Sequence, residues 1–115
     1  MLEKQIEAKV CDYAKKRGLL VYKFTSPARA AVPDRMFIHP DGAVFFIEFK
    51  RTGQKPTPAQ QREHDRLRGH NVNVHIVDGV EHGYQMIDAA IGVNHLNARR
   101  YDDFKKAQEQ NWRPS

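Results

Sequence analysis

The chain of 115 residues is 40% hydrophobic and 10% aromatic, which suits one domain with a packed core and argues against wholesale disorder. Its 19 Lys and Arg residues outnumber 14 Asp and Glu, giving a formal net charge of +5 that fits either a polyanionic partner such as nucleic acid or a mildly basic surface. Because no apolar stretch approaches the ~20 residues of a membrane span and the charged N-terminus lacks the apolar segment of a secretory signal, we expect a cytoplasmic protein.

The first half of the chain predicts one helix and three strands. Apolar residues recur at helical spacing near the N-terminus, and Gly18 follows as a stop signal. The apolar positions of this helix are Leu2, Ile6, Val10, Tyr13 and Ala14. The predicted elements are, in order, a helix over 2–17, a strand over 19–24, a strand over 34–38 and a strand over 43–50. A turn at 39–42 joins the last two strands, which should form an antiparallel hairpin.

The second half predicts a helix, a strand and a further helix. Thr57 is a plausible N-cap with Pro58 at the first helical position, and this helix should end at Gly69. Alternation of apolar and polar residues over 72–77 predicts a strand, and 83–91 predicts a short helix. The order α-β-β-β-α-β-α indicates an α/β fold with a mixed sheet and helices on its faces.

The C-terminal residues are set apart by their composition. We expect residues 1–92 to form the domain and residues 93–115 to form a basic and aromatic extension. Its basic and aromatic residues are Arg99, Arg100, Tyr101, Phe104, Lys105, Lys106 and Trp112. The extension is consistent with a helix docked on the core, a dimer contact or a mobile tail.

Cysteine and histidine usage argues against two classes of site. Cys11 is the single cysteine, so no intrachain disulfide can form, and its place in the first helix predicts a small buried hydrophobe. The chain has six histidines but no His-Glu-x-x-His and no Cys-x-x-Cys pattern, which argues against a zinc site.

The strongest predicted strand carries two charges that folding does not need. Glu48 and Lys50 interrupt the end of the apolar run 43–50, and side chains alternate along a strand, so both point to one face. Asp34 opens the preceding strand, directly after Pro33. An ordinary ion pair between Glu48 and Lys50, with Asp34 capping a turn, would explain these residues without any chemistry.

The same residues also suit phosphodiester hydrolysis. Asp34 and Glu48 would hold a divalent cation such as Mg²⁺, which prefers oxygen ligands and keeps several waters. The backbone carbonyl of Phe49 lies between the two charged side chains and would be a third ligand. Lys50 would orient the attacking water, lower its pKa or neutralise developing charge. The carboxylates and the lysine therefore make the chain a nuclease candidate, with the ordinary ion pair as the alternative.

In these residues the chain resembles the PD-(D/E)xK nuclease superfamily and, more narrowly, a stand-alone VRR-NUC domain. The matching motifs are, in chain order, Glu3 ahead of Ile6, Gly18, Pro33-Asp34, Ile47-Glu48-Phe49-Lys50, and Thr57-Pro58-Ala59-Gln60. Thirteen residues separate Asp34 from Glu48. The resemblance covers roughly residues 2–91, and five ordered motifs are far more specific than the acidic triplet alone.

The resemblance implies a restriction-endonuclease-like core and a metal-dependent nuclease that uses Mg²⁺, with Mn²⁺ able to substitute. Small stand-alone members, mainly from phages and bacteria, are similar to Holliday-junction resolvases and act as homodimers. Two symmetric active sites would then nick two strands of a four-way junction. The Fanconi-associated nuclease carries the same domain in a larger chain and cuts branched DNA, so a flap-type preference remains open.

The resemblance also implies roles for individual residues. Asp34 and Glu48 match the metal carboxylates, Lys50 the catalytic lysine, and Gln60 a glutamine near the site. Glu3 fits the register of the N-terminal acidic ligand best. Glu7 lies one helical turn further on and shares roughly the same face, so it stays an alternative.

Basic residues near the acidic cluster predict contacts with the DNA backbone. These residues are Arg29, Arg35, Arg51, Lys55 and Arg62. The alternative functions are a flap-type or general DNA nuclease, a restriction-type nuclease and a non-catalytic DNA-binding module. The chain is short for a separate base-reading domain, which counts against a restriction-type enzyme, and a binding module would bind DNA without metal-dependent cleavage.

Overall fold

The computed structural model describes residues 1–92, and the predicted extension over 93–115 lies outside the described residues. The elements are α1 (Glu3–Lys16), β1 (Leu20–Lys23), β2 (Arg35–Ile38), β3 (Val44–Phe49), α2 (Pro58–Arg68), β4 (Asn73–Val77) and α3 (Val80–Gly92). This order confirms the predicted α/β fold. None of the helices in residues 1–92 is long and apolar enough to cross a membrane.

The four strands form one mixed sheet in the order β1-β2-β3-β4. β1 pairs with β2 and β2 with β3 in the antiparallel sense, whereas β3 and β4 are parallel. The predicted hairpin of β2 and β3 is therefore confirmed. The chain returns from β3 to β4 through α2, because parallel neighbours need a crossover connection longer than a hairpin turn.

A tight turn sets the register of this hairpin. The His39 N–H donates to the Ala43 carbonyl at 2.8 Å, and the Ala43 N–H donates to Asp41 Oδ1 at 2.8 Å. Gly42 has a φ of +92°, a left-handed conformation that glycine adopts without strain. The resulting register pairs Arg35 with Ile47 at the last step of the ladder.

The main core lies on one face of the sheet. The buried residues of this cluster come from α1, α3 and the sheet: Ile6, Val10, Cys11, Ala14, Leu19, Phe37, Phe45, Ile47, Phe49, Val77 and Ile87. Because side chains alternate along β3, Glu48 and Lys50 point to the opposite face. Helix α2 packs on that opposite face, where His64 approaches Glu48.

Two expectations for the ends of helices are corrected. Leu2 was predicted in the apolar stripe of the first helix but is 65% exposed, because it is the N-cap with extended backbone and its side chain leaves the helical face. Helix α3 begins at Val80, three residues before the predicted start at Gly83. Cys11 is buried as predicted, and burial raises its pKa to about 11, so the thiol is inert.

Gly83 is the point of close approach between α1 and α3. A Cβ at this position would overlap Val10 Cγ2 and lie 3.2 Å from Val77 Cγ1. The residue is therefore needed for interhelical contact rather than for a helix boundary.

We expect Gly83→Ala to lower the free energy of unfolding by about 1–3 kcal/mol, since overpacking a close contact outweighs the better helix propensity of alanine. Urea denaturation of the two proteins measures the difference. Gly92→Ala is the matched control, because a Cβ there meets no atom of residues 1–92 within 4 Å. Equal stability of Gly83→Ala and the wild type would show that the two helices can separate without cost.

Candidate active site

The hairpin register brings Asp34 and Glu48 together. Beyond the last ladder pair, Arg35 with Ile47, the next step places Asp34 opposite Glu48. Directly opposite residues of an antiparallel pair share a face, with Cβ atoms about 4.5–5.5 Å apart. Two carboxylates separated by thirteen residues in the sequence are therefore cross-strand neighbours.

Asp34 continues the hydrogen bonding of the hairpin with its side chain. Its Oδ2 accepts the Phe49 N–H at 2.8 Å, and the neighbouring Pro33 has no backbone N–H to donate to the Phe49 carbonyl. The N–H and C=O of one strand residue point to the same side, so the Phe49 carbonyl is also directed toward Asp34. On the other side of β3, the Lys50 N–H donates to the Val77 carbonyl at 2.9 Å.

Glu48 is a buried carboxyl group whose charge is disfavoured. It is 1% exposed, and burial raises its pKa to about 9, aided by a hydrogen bond to Asp34 and by the negative charges of Asp34 and Glu3. The Lys50 ammonium acts in the opposite direction and lowers this pKa. Without further positive charge the Glu48 carboxyl is protonated at neutral pH, and a bound cation would favour its ionised form.

This raised pKa predicts a pH-dependent stability in the presence of a chelator. A carboxyl whose pKa is higher in the folded state than in the unfolded state stabilises the fold below the unfolded pKa, and this contribution is lost as pH rises through the folded pKa. Glu48→Gln removes the titration, so the variant should gain stability relative to wild type between about pH 5 and about pH 9, with each pKa unit worth about 1.4 kcal/mol. Thermal unfolding in EDTA at several pH values measures the difference, and a constant difference would contradict the burial effect.

The structure separates the roles of the two acidic residues on α1. The pKa of Glu3 is raised by burial and by the charge of Asp34, and lowered by Lys50, so Glu3 lies within electrostatic reach of both. Glu7 instead accepts the Arg35 guanidinium at 3.4 Å. Both glutamates line an open cleft of about 410 Å³ together with Asp34. Glu3 is the glutamate of α1 whose charge contributes to the raised pKa of Glu48.

Lys50 is a buried cation beside these carboxylates. Its side chain is 6% exposed and points to the same face as Glu48. Its positive charge lowers the pKa of both Glu48 and Glu3. The arrangement therefore places one ammonium group among three carboxyl groups, in a site where water screens the charges little.

Gln60 takes part in the hydrogen bonds that cap the N-terminus of α2. Its Oε1 accepts the Thr57 N–H at 3.0 Å, and Thr57 Oγ1 accepts the Gln60 N–H at 3.2 Å. This capping box confirms the predicted N-cap, and it engages Gln60 in the helix start rather than with the acidic pair.

The five basic residues expected at DNA fall into two groups. Arg29 donates to Glu63 at 3.2 Å and Arg35 to Glu7 at 3.4 Å, so carboxylates already hold both guanidinium groups. The other three are exposed: Arg51, Lys55 and Arg62. Among residues 1–92, these exposed side chains are the ones available to phosphates without breaking an ion pair.

His64 is a residue of this site that sequence reasoning missed. It is 0% exposed, and its Nε2 lies 3.7 Å from Glu48 Oε1. The sequence signal that could have identified it is its spacing from Leu67. Residues three positions apart lie on the same face of a helix, and Leu67 is partly buried, so this face of α2 turns inward.

The ligand set for a cation is small. Within residues 1–92, no three His, Cys, Asp or Glu side chains are placed to hold a metal ion by themselves. A cation here would depend on the Asp34 and Glu48 carboxylates, the Phe49 carbonyl and water, and Mg²⁺ commonly binds with one or two carboxylates plus water.

The chain is similar to a protein named as a nuclease and to two solved structures, although no protein-family model matches it. The chain is 47% identical over 74 residues to a phage protein named "Putative nuclease p44", from Acyrthosiphon pisum secondary endosymbiont phage 1, with 63% of this chain and 80% of the relative covered. It is also similar to a solved structure described as "VRR_NUC domain", with a TM-score of 0.70 and 31% identity over 75% of this chain and 94% of the other. A "VRR_NUC domain protein" shares the fold at 17% identity and a TM-score of 0.66, covering 80% of this chain and 89% of the other.

Proposed function

The chain belongs to the VRR-NUC family of nucleases, and we propose that it is a metal-dependent endonuclease that hydrolyses phosphodiester bonds in branched DNA. The observation that carries the proposal is the cross-strand pair of Asp34 and Glu48, with the buried Lys50 on the same face. A fold stabilised by packing alone gains nothing from burying the Glu48 carboxyl beside a second carboxyl group.

Mg²⁺ is the proposed cofactor, with Mn²⁺ able to replace it. The residues that would hold it are Asp34, Glu48 and the Phe49 carbonyl, with Glu3 rather than Glu7 contributing through a bound water. Two features of the structure support this fit: the buried Glu48 carboxyl lies beside Asp34, and the donors are all oxygen atoms. A hard divalent cation would supply further positive charge that stabilises the ionised form of Glu48.

The chain's own groups have separable tasks in hydrolysis. A bound cation supplies Lewis-acid stabilisation of the phosphate and a more acidic water. Asp34 is held in place by the Phe49 N–H, so its orientation is set before any ligand arrives. The Lys50 ammonium would orient the attacking water and offset negative charge that develops on the phosphate.

Branched DNA, and in particular the Holliday junction, is the proposed substrate, cut by a homodimer. The net charge of +5 supports a nucleic-acid partner, and Arg51, Lys55 and Arg62 follow the candidate active site on exposed positions. A homodimer would present two equivalent active sites related by a twofold axis, as cutting of two strands at a symmetric junction requires. Flap cleavage by a single site is the second candidate.

A matched substrate panel tests the proposal. Four-way junctions, flaps, single strands and linear duplexes are incubated with Mg²⁺, Mn²⁺ or EDTA, and light scattering gives the mass of the protein in solution. Paired symmetric nicks on the junction by a dimer, absent in EDTA, are the expected result. Cutting mainly at flaps would reassign the substrate. DNA binding with no cutting under any metal would instead identify a non-catalytic DNA-binding module.

A further inference from the structure

The face that α2 turns toward the sheet is polar. Within Pro58–Arg68 the buried residues are Glu63 and His64, although a helix that packs on a sheet ordinarily buries apolar side chains. The Glu63 carboxylate has a clear partner in Arg29. His64 lies next to the buried carboxyl of Glu48, so both inward residues of this helix meet ionisable groups.

His64 and Glu48 lie close together but are not hydrogen-bonded to each other. His64 Nε2 and Glu48 Oε1 are 3.7 Å apart, which is longer than a hydrogen bond of about 2.7–3.2 Å. In residues 1–92 both ring nitrogens of His64 and Oε1 of Glu48 are buried with no hydrogen-bond partner. Each such atom costs about 1–3 kcal/mol when it stays unpaired. A small rotation of either side chain would join them.

The full burial of His64 disfavours a charged imidazolium and favours the neutral ring. A neutral imidazole carries one N–H donor and one acceptor nitrogen. It can donate to an ionised carboxylate without adding a positive charge that would compete with a cation.

We propose that His64 is a positioning residue, whose Nε2–H donates to Glu48 Oε1 and fixes the carboxylate with Oε2 available to the cation. The inference rests on the proposed function, because Glu48 needs this orientation only if it holds a metal ion. Groups that orient the ligands of a metal typically contribute about 10–100-fold to its affinity. The His64 side chain acts through Glu48 and touches neither the cation nor the DNA.

Mn²⁺ binding to the full chain, measured by calorimetry without DNA, tests the inference. His64→Leu should weaken Mn²⁺ affinity by about tenfold or more, since it removes the donor while keeping an apolar group of moderate size. His64→Gln should retain most of the affinity, because its amide N–H₂ can donate from a similar position. His82→Leu, the same change at an exposed position on α3, should leave the affinity unchanged.

Nitrogen NMR of His64 in the Mg²⁺-bound protein provides a second measurement that does not depend on a stable variant. The spectrum should show a neutral ring with its proton on Nε2. A proton on Nδ1 alone would overturn the inference, as would equal Mn²⁺ affinity of the wild type and His64→Leu, or an equal loss in His64→Gln and His64→Leu. Failure of the wild type to bind Mn²⁺ would overturn the proposed function together with the inference. Wild-type cutting with full Mn²⁺ affinity in His64→Leu would overturn the inference alone.

Discussion

Asp34→Asn is expected to lower the rate of metal-dependent DNA cleavage by about 1,000-fold, because a cation supplies several kcal/mol of transition-state stabilisation and about 1.4 kcal/mol corresponds to tenfold in rate. Asparagine has nearly the same shape as aspartate and keeps an oxygen that can accept the Phe49 N–H, so the end of the hairpin should be preserved. The loss should therefore come from the missing negative charge. Single-turnover cleavage of the preferred substrate, with circular dichroism as a check on folding, measures it.

Asp41→Asn is the matched control for this substitution. Asp41 lies in the turn of the same hairpin and accepts the Ala43 N–H, a role that asparagine fills equally well. The control should cut DNA like the wild type. If Asp34→Asn also cuts within tenfold of the wild type, Asp34 does not hold the cation, and the cross-strand pair of Asp34 and Glu48 has another role.

Lys50→Met is expected to lower the cleavage rate by about 100- to 1,000-fold while DNA binding is retained. Methionine fills much of the space of the buried aliphatic chain but carries no charge, so the protein should stay folded. Lys50→Arg should not restore the rate, because a planar guanidinium cannot take the place of a compact ammonium in a buried site. Rates at saturating DNA separate this chemical effect from substrate affinity.

Part of the Lys50→Met defect should depend on pH. Because the ammonium lowers the pKa of Glu48 and Glu3, its removal raises both, and the cation must then displace protons that are held more tightly. Raising the pH or the Mg²⁺ concentration should therefore recover some of the lost rate. Lys9→Met, an exposed change on α1, is the control and should cut like the wild type. A Lys50→Met protein with the wild-type rate would exclude Lys50 from the chemistry.

Local signals in the sequence were enough for the element order and for one part of the candidate site. The turn at 39–42 and the apolar segments on either side of it predict a hairpin, and its register makes Asp34 and Glu48 neighbours. The Thr57 N-cap was predicted for the same reason, since its side chain bonds a residue only three positions further on. These features depend on short-range geometry, which the amino-acid pattern encodes directly.

Only the tertiary structure decided which side chains meet across elements. The ion pair of Glu7 with Arg35 and the electrostatic interaction of Glu3 with Asp34 depend on how α1 crosses the sheet. The contact of His64 with Glu48 likewise depends on the position of α2, which no local pattern specifies. Periodicity identifies the inward face of a helix but not the residues it will face, because those contacts are set by packing between distant segments of the chain.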